Sequence, residues 1–164
     1  MRIGAAFPLL PRVILLTFLS AVAAAPSISA DFAAGLEAYD AGDYATALEE
    51  WRPLAEAGDV EAQLALAGLF SDGVGVPADH AEAVRWYRMA AEQGDAVGQL
   101  NLGDFYARGL GVERDLGQAV YWLTLSARQG RRWPKQRIAE LEHLLTKAER
   151  AELERLLAEE GAVQ

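Results

Sequence analysis

From Asp59 to Gly130 the apolar positions recur with the three-to-four-residue rhythm of helices, and the whole pattern then repeats. The segment DVEAQLALAGLFSDGVGVPADHAEAVRWYRMAAEQG aligns without a gap on DAVGQLNLGDFYARGLGVERDLGQAVYWLTLSARQG at a period of 36 residues. Gln63/Gln99, Leu64/Leu100, Leu66/Leu102, Gly73/Gly109, Gly75/Gly111, Val76/Val112, Ala83/Ala119 and Trp86/Trp122 are among the identical pairs. Each unit predicts two helices and no strand. Asp59 and Asp95 are N-caps for the first helix, helix A, because a carboxylate accepts from the free N–H groups of a first turn. Helix A ends near Ser71 or Ala107, where Gly73 and Gly109 supply the left-handed residue that commonly stops a helix. Val76 and Val112 are expected to tuck under the loop. Asp79 with Glu82, and Asp115 with Gln118, have the spacing of a capping box opening the second helix, helix B. Helix B closes at Gly94 and Gly130.

Small residues then predict the packing. Ala67 and Gly103 on helix A and Ala83 and Ala119 on helix B let backbones approach, while Trp86, Tyr87 and Trp122 fill the wider gaps. A unit of this kind has an apolar face that it cannot bury alone, so units must stack.

Asp59–Gly130 resembles two Sel1-like repeats, a family related to tetratricopeptide repeats. Leu66-Ala67 and Leu102-Gly103, Phe70 and Tyr106, the loops Gly73-Val74-Gly75-Val76 and Gly109-Leu110-Gly111-Val112, Asp79 and Asp115 carry the resemblance. Ala83, Trp86-Tyr87, Ala90-Ala91 and Gly94 complete it in the first repeat; Trp122-Leu123 and Ser126-Ala127 depart from it in the second. Upstream, Phe32–Gly58 is similar to one shorter tetratricopeptide-type hairpin through Gly35, Tyr39, Gly42-Asp43-Tyr44, Ala47 and Trp51. The implied fold is an all-α, right-handed solenoid of helix-turn-helix repeats, with units at 31–58, 59–94 and 95–130 and capping helices in 131–164. In that last stretch the spacing predicts a helix over Lys135–Leu145, following Pro134. Thr146-Lys147-Ala148-Glu149 then opens a final helix ending near Gly161, making eight helices in four hairpins.

The first thirty residues read differently. Arg2 and Arg12 are the only charges before Asp31, and VILLTFLSAVAAA from Val13 to Ala25 is too short for a comfortable membrane span, which needs about 20 apolar residues. Residues 1–30 are therefore expected to be a secretory signal, cleaved after Ala30 and leaving no stable membrane insertion. An uncleaved anchor helix is the competing reading. The Sel1-type resemblance and an Ala- and Arg-rich, Lys-poor composition suggest a bacterial, periplasmic or secreted protein.

Composition sharpens this. The 164 residues include 24 acids, 15 bases and no cysteine, for a net charge of -9. Without the two arginines of the signal the balance becomes -11. Residues 131–164 hold equal numbers of acids and bases, so the excess lies on the repeats. An acidic surface argues against nucleic acid, whose binding depends on neutralising phosphates. The missing cysteines exclude disulfides, a Cys-ligated zinc, a thiol nucleophile and a lipoprotein anchor. With only His80 and His143, no metal or cofactor is expected. His80 falls in a first turn and is expected to be solvated; His143 sits on the penultimate helix without a partner at metal spacing. The alanine surplus, 32 residues, fits close helix contacts.

Candidate chemistry is correspondingly thin. Asp59, Asp79, Asp95 and Asp115 sit where caps are needed, and Gly73, Gly75, Gly109 and Gly111 lack the Lys-Ser/Thr sequel of a phosphate loop. Trp51, Trp86, Tyr87 and Trp122 read as core, and Ser126 merely replaces an alanine. The residues that break the repeat are more informative. Tetratricopeptide-type hairpins bind extended peptides along the concave face lined by helix A, and the resemblance places Glu61, Ala65, Gly68 and Asp72 there in one repeat. Val97, Asn101, Asp104 and Arg108 follow in the next. An amide such as Asn101 can donate to and accept from a peptide backbone, and Arg108 could hold a carboxylate. A basic knot of Arg128, Arg131, Arg132, Lys135 and Arg137 around Trp133 and Pro134 could meet an acidic partner or a lipid headgroup. It also offsets the acidic stack and the carbonyl end of the preceding helix. The resemblance thus implies a noncatalytic protein- or peptide-binding module of the bacterial cell envelope. An envelope hydrolase acting on cell-wall material and a regulatory inhibitor of a membrane sensor are the alternatives.

Overall fold

A computed structural model describes residues 28–130 and 133–163. The expected signal, 1–30, lies outside the described residues except for Ile28–Ala30, which open the first helix; Arg131 and Arg132 of the basic knot also lie outside. Among the described residues there are eight helices and no strand: α1 (Ile28–Asp40), α2 (Tyr44–Glu56), α3 (Val60–Asp72), α4 (His80–Glu92), α5 (Ala96–Arg108), α6 (Leu116–Arg128), α7 (Trp133–Glu142) and α8 (Lys147–Val163). From α1 to α6 each helix packs on the next in chain order, making an α-solenoid of helix pairs.

The repeated residues do the same work in each unit. Asp59 and Asp95 accept from backbone N–H groups of their first turns at 2.7–2.8 Å. Gly73 and Gly109 end α3 and α5 in the left-handed conformation, each with φ of 68°. Any side chain there would be pressed against its own carbonyl. The second glycine of each loop has another reason. A Cβ on Gly75 would overlap Tyr44 at the start of α2, and one on Gly111 would overlap the His80 carbonyl at the start of α4. Each A–B loop thus lies on the preceding helix B, and only a glycine lets it settle there. Val76 and Val112 are half-buried, and Val74, Leu110 and Val112 join the main core.

The capping boxes expected at Asp79 and Asp115 form only in half. Asp79 caps the N–H groups of Ala81 and Glu82, but its own N–H donates to the Phe70 carbonyl at 2.8 Å. Nothing remains there for Glu82 to accept, and its carboxylate turns to Arg85 at 2.6 Å. Asp115 repeats the pattern, with its N–H given to Tyr106 at 3.1 Å. The complete box is the last one: the Thr146 N–H donates to Glu149 at 2.8 Å, and the Glu149 N–H to Thr146 Oγ1 at 3.2 Å.

Two cores result. The larger runs through Ala47, Trp51, Leu66, Trp86, Leu102 and Trp122; the smaller joins Leu116, Val120 and Leu123 of α6 to Leu141, Leu145 and Leu153. Two buried glutamines fasten the stack. Gln63 donates to Ala55 of the preceding helix B at 3.0 Å and accepts from Gln93 at 2.8 Å, and Gln99 does the same with Ala91 and Gln129 at 3.3 and 2.9 Å. Amides this deep are tolerated because both ends are bonded. Ser126, likewise buried, spends its hydroxyl on the Ala96 carbonyl at 2.7 Å.

The C-terminal elements depart from expectation. Helix α7 begins at Trp133 and takes Pro134 into its first turn, where the missing N–H costs nothing. It stops at Glu142, so the exposed His143 lies beyond it. The last pair does not form a hairpin packed on itself, because α7 and α8 both rest chiefly on α6, whose Leu116, Val120 and Leu123 offer the apolar surface they need. His80 is half-buried rather than solvated, its ring centroid 5.9 Å from that of Phe105 in an edge-to-face arrangement.

Candidate functional site on the helix-A face

Helices α3 and α5 each present one row of side chains at a spacing of three and four. In α3 these are Glu61, Ala65, Gly68 and Asp72, of which Glu61 and Asp72 are exposed. In α5 they are Val97, Asn101, Asp104 and Arg108, of which only Arg108 is exposed and the rest are half-buried.

The two rows differ in chemistry as well as in sequence. On α5 the polar groups bond mainly to one another. The Asn101 amide donates to the Val97 carbonyl one turn back at 3.0 Å, leaving its oxygen for an outside donor. Arg108 pairs with Asp104 at 3.1 Å. Asp104 is also 4.0 Å from Arg137 of α7, which bonds Glu140 at 2.9 Å. Arg137 therefore ties the C-terminal helices to the acidic stack, while Lys135 and Trp133 remain exposed beside it. Asp104 and Arg137 line a shallow cleft of about 170 Å³ with Trp133, Gln136 and Glu140.

On α3 the row opens into a cleft of about 270 Å³ between α3 and α1. Ala65, Gly68 and Asp72 line it, as do Phe32, Leu36 and Tyr39 of α1, with Trp51 below. Its floor is an aromatic stack: Phe32 lies on Trp51 at 5.4 Å between centroids, and Tyr39 tilts against Trp51 at 5.8 Å. The Trp51 indole donates to the Phe32 carbonyl at 3.1 Å, and Gly35 leaves room for that ring, since a Cβ there would meet it. Leu36 is 44% and Tyr39 39% exposed, so α1 shows solvent an apolar edge. Asp72 stands at the carbonyl end of α3. Its charge adds to burial in pushing the phenol of Tyr87 up to about 12, so Tyr87 stays neutral.

The structure thus gathers Ala65, Gly68 and Asp72 into one cleft and puts Asp104 in another. Glu61, Val97, Asn101 and Arg108 line neither. Phe32, Leu36 and Tyr39 are additional to the rows expected from the repeats. Their signal is a stripe at spacings of four and three on the first helix, with no described element before it to cover it. Trp51, Trp86, Tyr87 and Trp122 are core, at 3, 0, 7 and 9% exposure. No group of three or more His, Asp or Glu side chains at metal-binding distance occurs among the described residues. No described helix is long and apolar enough to cross a membrane.

Residues 60–95 and 96–130 each match the Sel1 repeat family. A Sel1 repeat protein from Oxalobacter formigenes is 33% identical, with a TM-score of 0.63 over 70% of this chain and 89% of that one. A protective antigen present in uropathogenic Escherichia coli strains, which displays an SLR fold, is 32% identical with a TM-score of 0.72. That match covers 80% of this chain, and the chain spans only 29% of the antigen's length. No curated protein matches the chain. Sel1 repeats are generally protein–protein interaction modules, and typically noncatalytic scaffolds. Matched in two consecutive repeats, in helix pairing and over nearly the whole of a smaller relative, the chain belongs to the Sel1 repeat family.

Proposed function

We propose that this protein is a noncatalytic binding module of the bacterial cell envelope, holding a peptide segment of a partner protein along its helix-A face. One observation carries the reading. The two repeats keep Gln63/Gln99, Leu66/Leu102, Ala83/Ala119 and Trp86/Trp122 in their core, yet differ at all four helix-A row positions: Glu61/Val97, Ala65/Asn101, Gly68/Asp104 and Asp72/Arg108. Packing explains the retained residues and leaves these free to follow a ligand. Asn101, Asp104 and Arg108 would orient the peptide backbone and its charges, and Glu61, Asp72 and Val97 would flank it. Export rests on the basic, then apolar, then small-residue order of residues 1–30, and the antigen among the structural neighbours fits an exported chain.

Photocrosslinking in cells from position 101 or 72, followed by identification of the captured protein, tests this. Crosslinks should be stronger from these positions than from exposed helix-B positions such as Arg85. A bound partner indifferent to Asn101→Ala, Asp104→Ala and Arg108→Ala together would remove the helix-A face as the site. A hydrolase activity abolished by one conservative carboxylate change would replace the binding reading by an enzymatic one. N-terminal sequencing of the exported protein should begin at Asp31.

A further inference from the structure

The helix-A face is not uniform, and its α1–α3 end has a chemistry of its own. The cleft is apolar on both walls and on its floor, through Phe32, Leu36, Tyr39, Trp51 and Leu69. Its size suits one large aliphatic or aromatic side chain rather than a whole folded surface. Among the described residues Asp72 is the one charged residue lining it.

The surroundings are acidic throughout. Helix α1 carries Glu37 and Asp40, α3 carries Glu61 and Asp72, and neither has a lysine or arginine. Both helices end in an aspartate, where the carbonyl ends of their backbones add partial negative charge. An acidic or neutral peptide would meet repulsion or nothing here, whereas a basic one is attracted before contact and held after it.

We propose that the α1–α3 cleft is the anchor subsite of this face, taking a leucine or phenylalanine side chain from a lysine- or arginine-flanked peptide. The apolar side chain enters over Trp51 and Gly68, and a flanking cation pairs with Asp72. This rests on the peptide-binding reading above and names the partner chemistry that the reading leaves open.

Gly68 provides a selective block. No atom lies within 4 Å of a Cβ built there, and its backbone is helical, so Gly68→Leu fills the cleft without disturbing the core. Fluorescence anisotropy on the full chain would use a labelled dodecapeptide with a central Leu-Phe pair between lysine-rich flanks. Two controls are the same peptide with glutamate flanks and with Ala-Ala at its centre. The lysine-flanked peptide should bind at least about ten-fold more tightly than either control. Gly68→Leu and, separately, Asp72→Lys should each weaken it at least about five-fold at unchanged melting temperature. Added salt should weaken it too.

Equal binding of the glutamate-flanked peptide, indifference to both variants, or no binding of the lysine-flanked peptide overturns the proposal. Self-association abolished by Gly68→Leu would assign the cleft to a second copy. If instead the glutamate-flanked peptide binds and Asn101→Ala with Arg108→Ala weakens it, this proposal fails while the broader helix-A reading survives. If peptides bind but neither set of variants matters, both fail.

Discussion

The two Sel1 repeats have one fold but opposite uses for a glycine. At one helix-A position the first repeat has Ala67, fully buried, and the second has Gly103. A Cβ on Gly103 would come 2.8 Å from Leu123 Cγ and 3.0 Å from the Ala119 carbonyl. Gly98 is the same case on the other side of α5, where Ala62 stands in α3: its Cβ would come 2.8 Å from Ala90 Cβ and from the Ala91 nitrogen. Helix α5 is thus pressed against both neighbours. One position further along the repeat, the first unit has Gly68, open to the cleft, and the second has Asp104, paired to Arg108. Glycine in α5 is required by contact, whereas glycine in α3 creates space. The second repeat is the tightly fitted one, and the first keeps an empty place beside α1.

The strongest way to break this comparison lies in the loop both repeats share. Gly111→Ala meets the His80 backbone and also has φ of 66°, so it should cost about 2–4 kcal/mol by chemical denaturation. Gly109→Val, with a similar φ but looser surroundings, should cost more than about 1 kcal/mol. An unchanged melting temperature for either would show that the loop bends without its glycine. Gly103→Ala comes next, at about 1–3 kcal/mol from overpacking against Leu123 and the Ala119 carbonyl. Gly68→Ala should do the reverse and stabilise by about 0.5–1 kcal/mol, because it adds helix propensity and meets nothing. If the two alanines shift the melting temperature equally, the difference between the repeats is not one of fit.

The smallest effect concerns acid. Hydrogen bonds from Arg85 hold Glu82 below its ordinary value of 4.5, and bonds to Thr146 hold Glu149 below the same value. A lowered native pKa contributes stability that is present above the unfolded value and is lost as pH falls through the folded one. Melting temperature should therefore decline below about pH 4.5, and Glu82→Gln should remove part of that slope in the first repeat. A slope untouched by Glu82→Gln would place the acid sensitivity elsewhere.

Much of this architecture is legible in the residues because it is local and repeated. A carboxylate two or three positions before an N–H, or a glycine where a helix must turn left, acts within a few residues, so Asp59, Asp95, Gly73 and Gly109 announce themselves. Repetition at 36 residues then makes stacking unavoidable. The errors fall where a group has a distant competitor. Glu82 has the spacing of a box, but Phe70 takes the Asp79 N–H across the loop. His80 looks solvated on its helix, yet Phe105 of the next helix covers its edge.

The amino-acid sequence alone determined the helices, their caps, the repeat and the acidic stack, since periodicity and short-range hydrogen bonding depend on neighbours in the chain. Tertiary structure decided which glycine is a contact and which an opening. It also decided where α7 and α8 rest, and that Phe32, Leu36 and Tyr39 meet Gly68 and Asp72 across a cleft. Those outcomes depend on the distance between stacked helices, a sum of many side-chain volumes from several elements that no single stretch of residues contains.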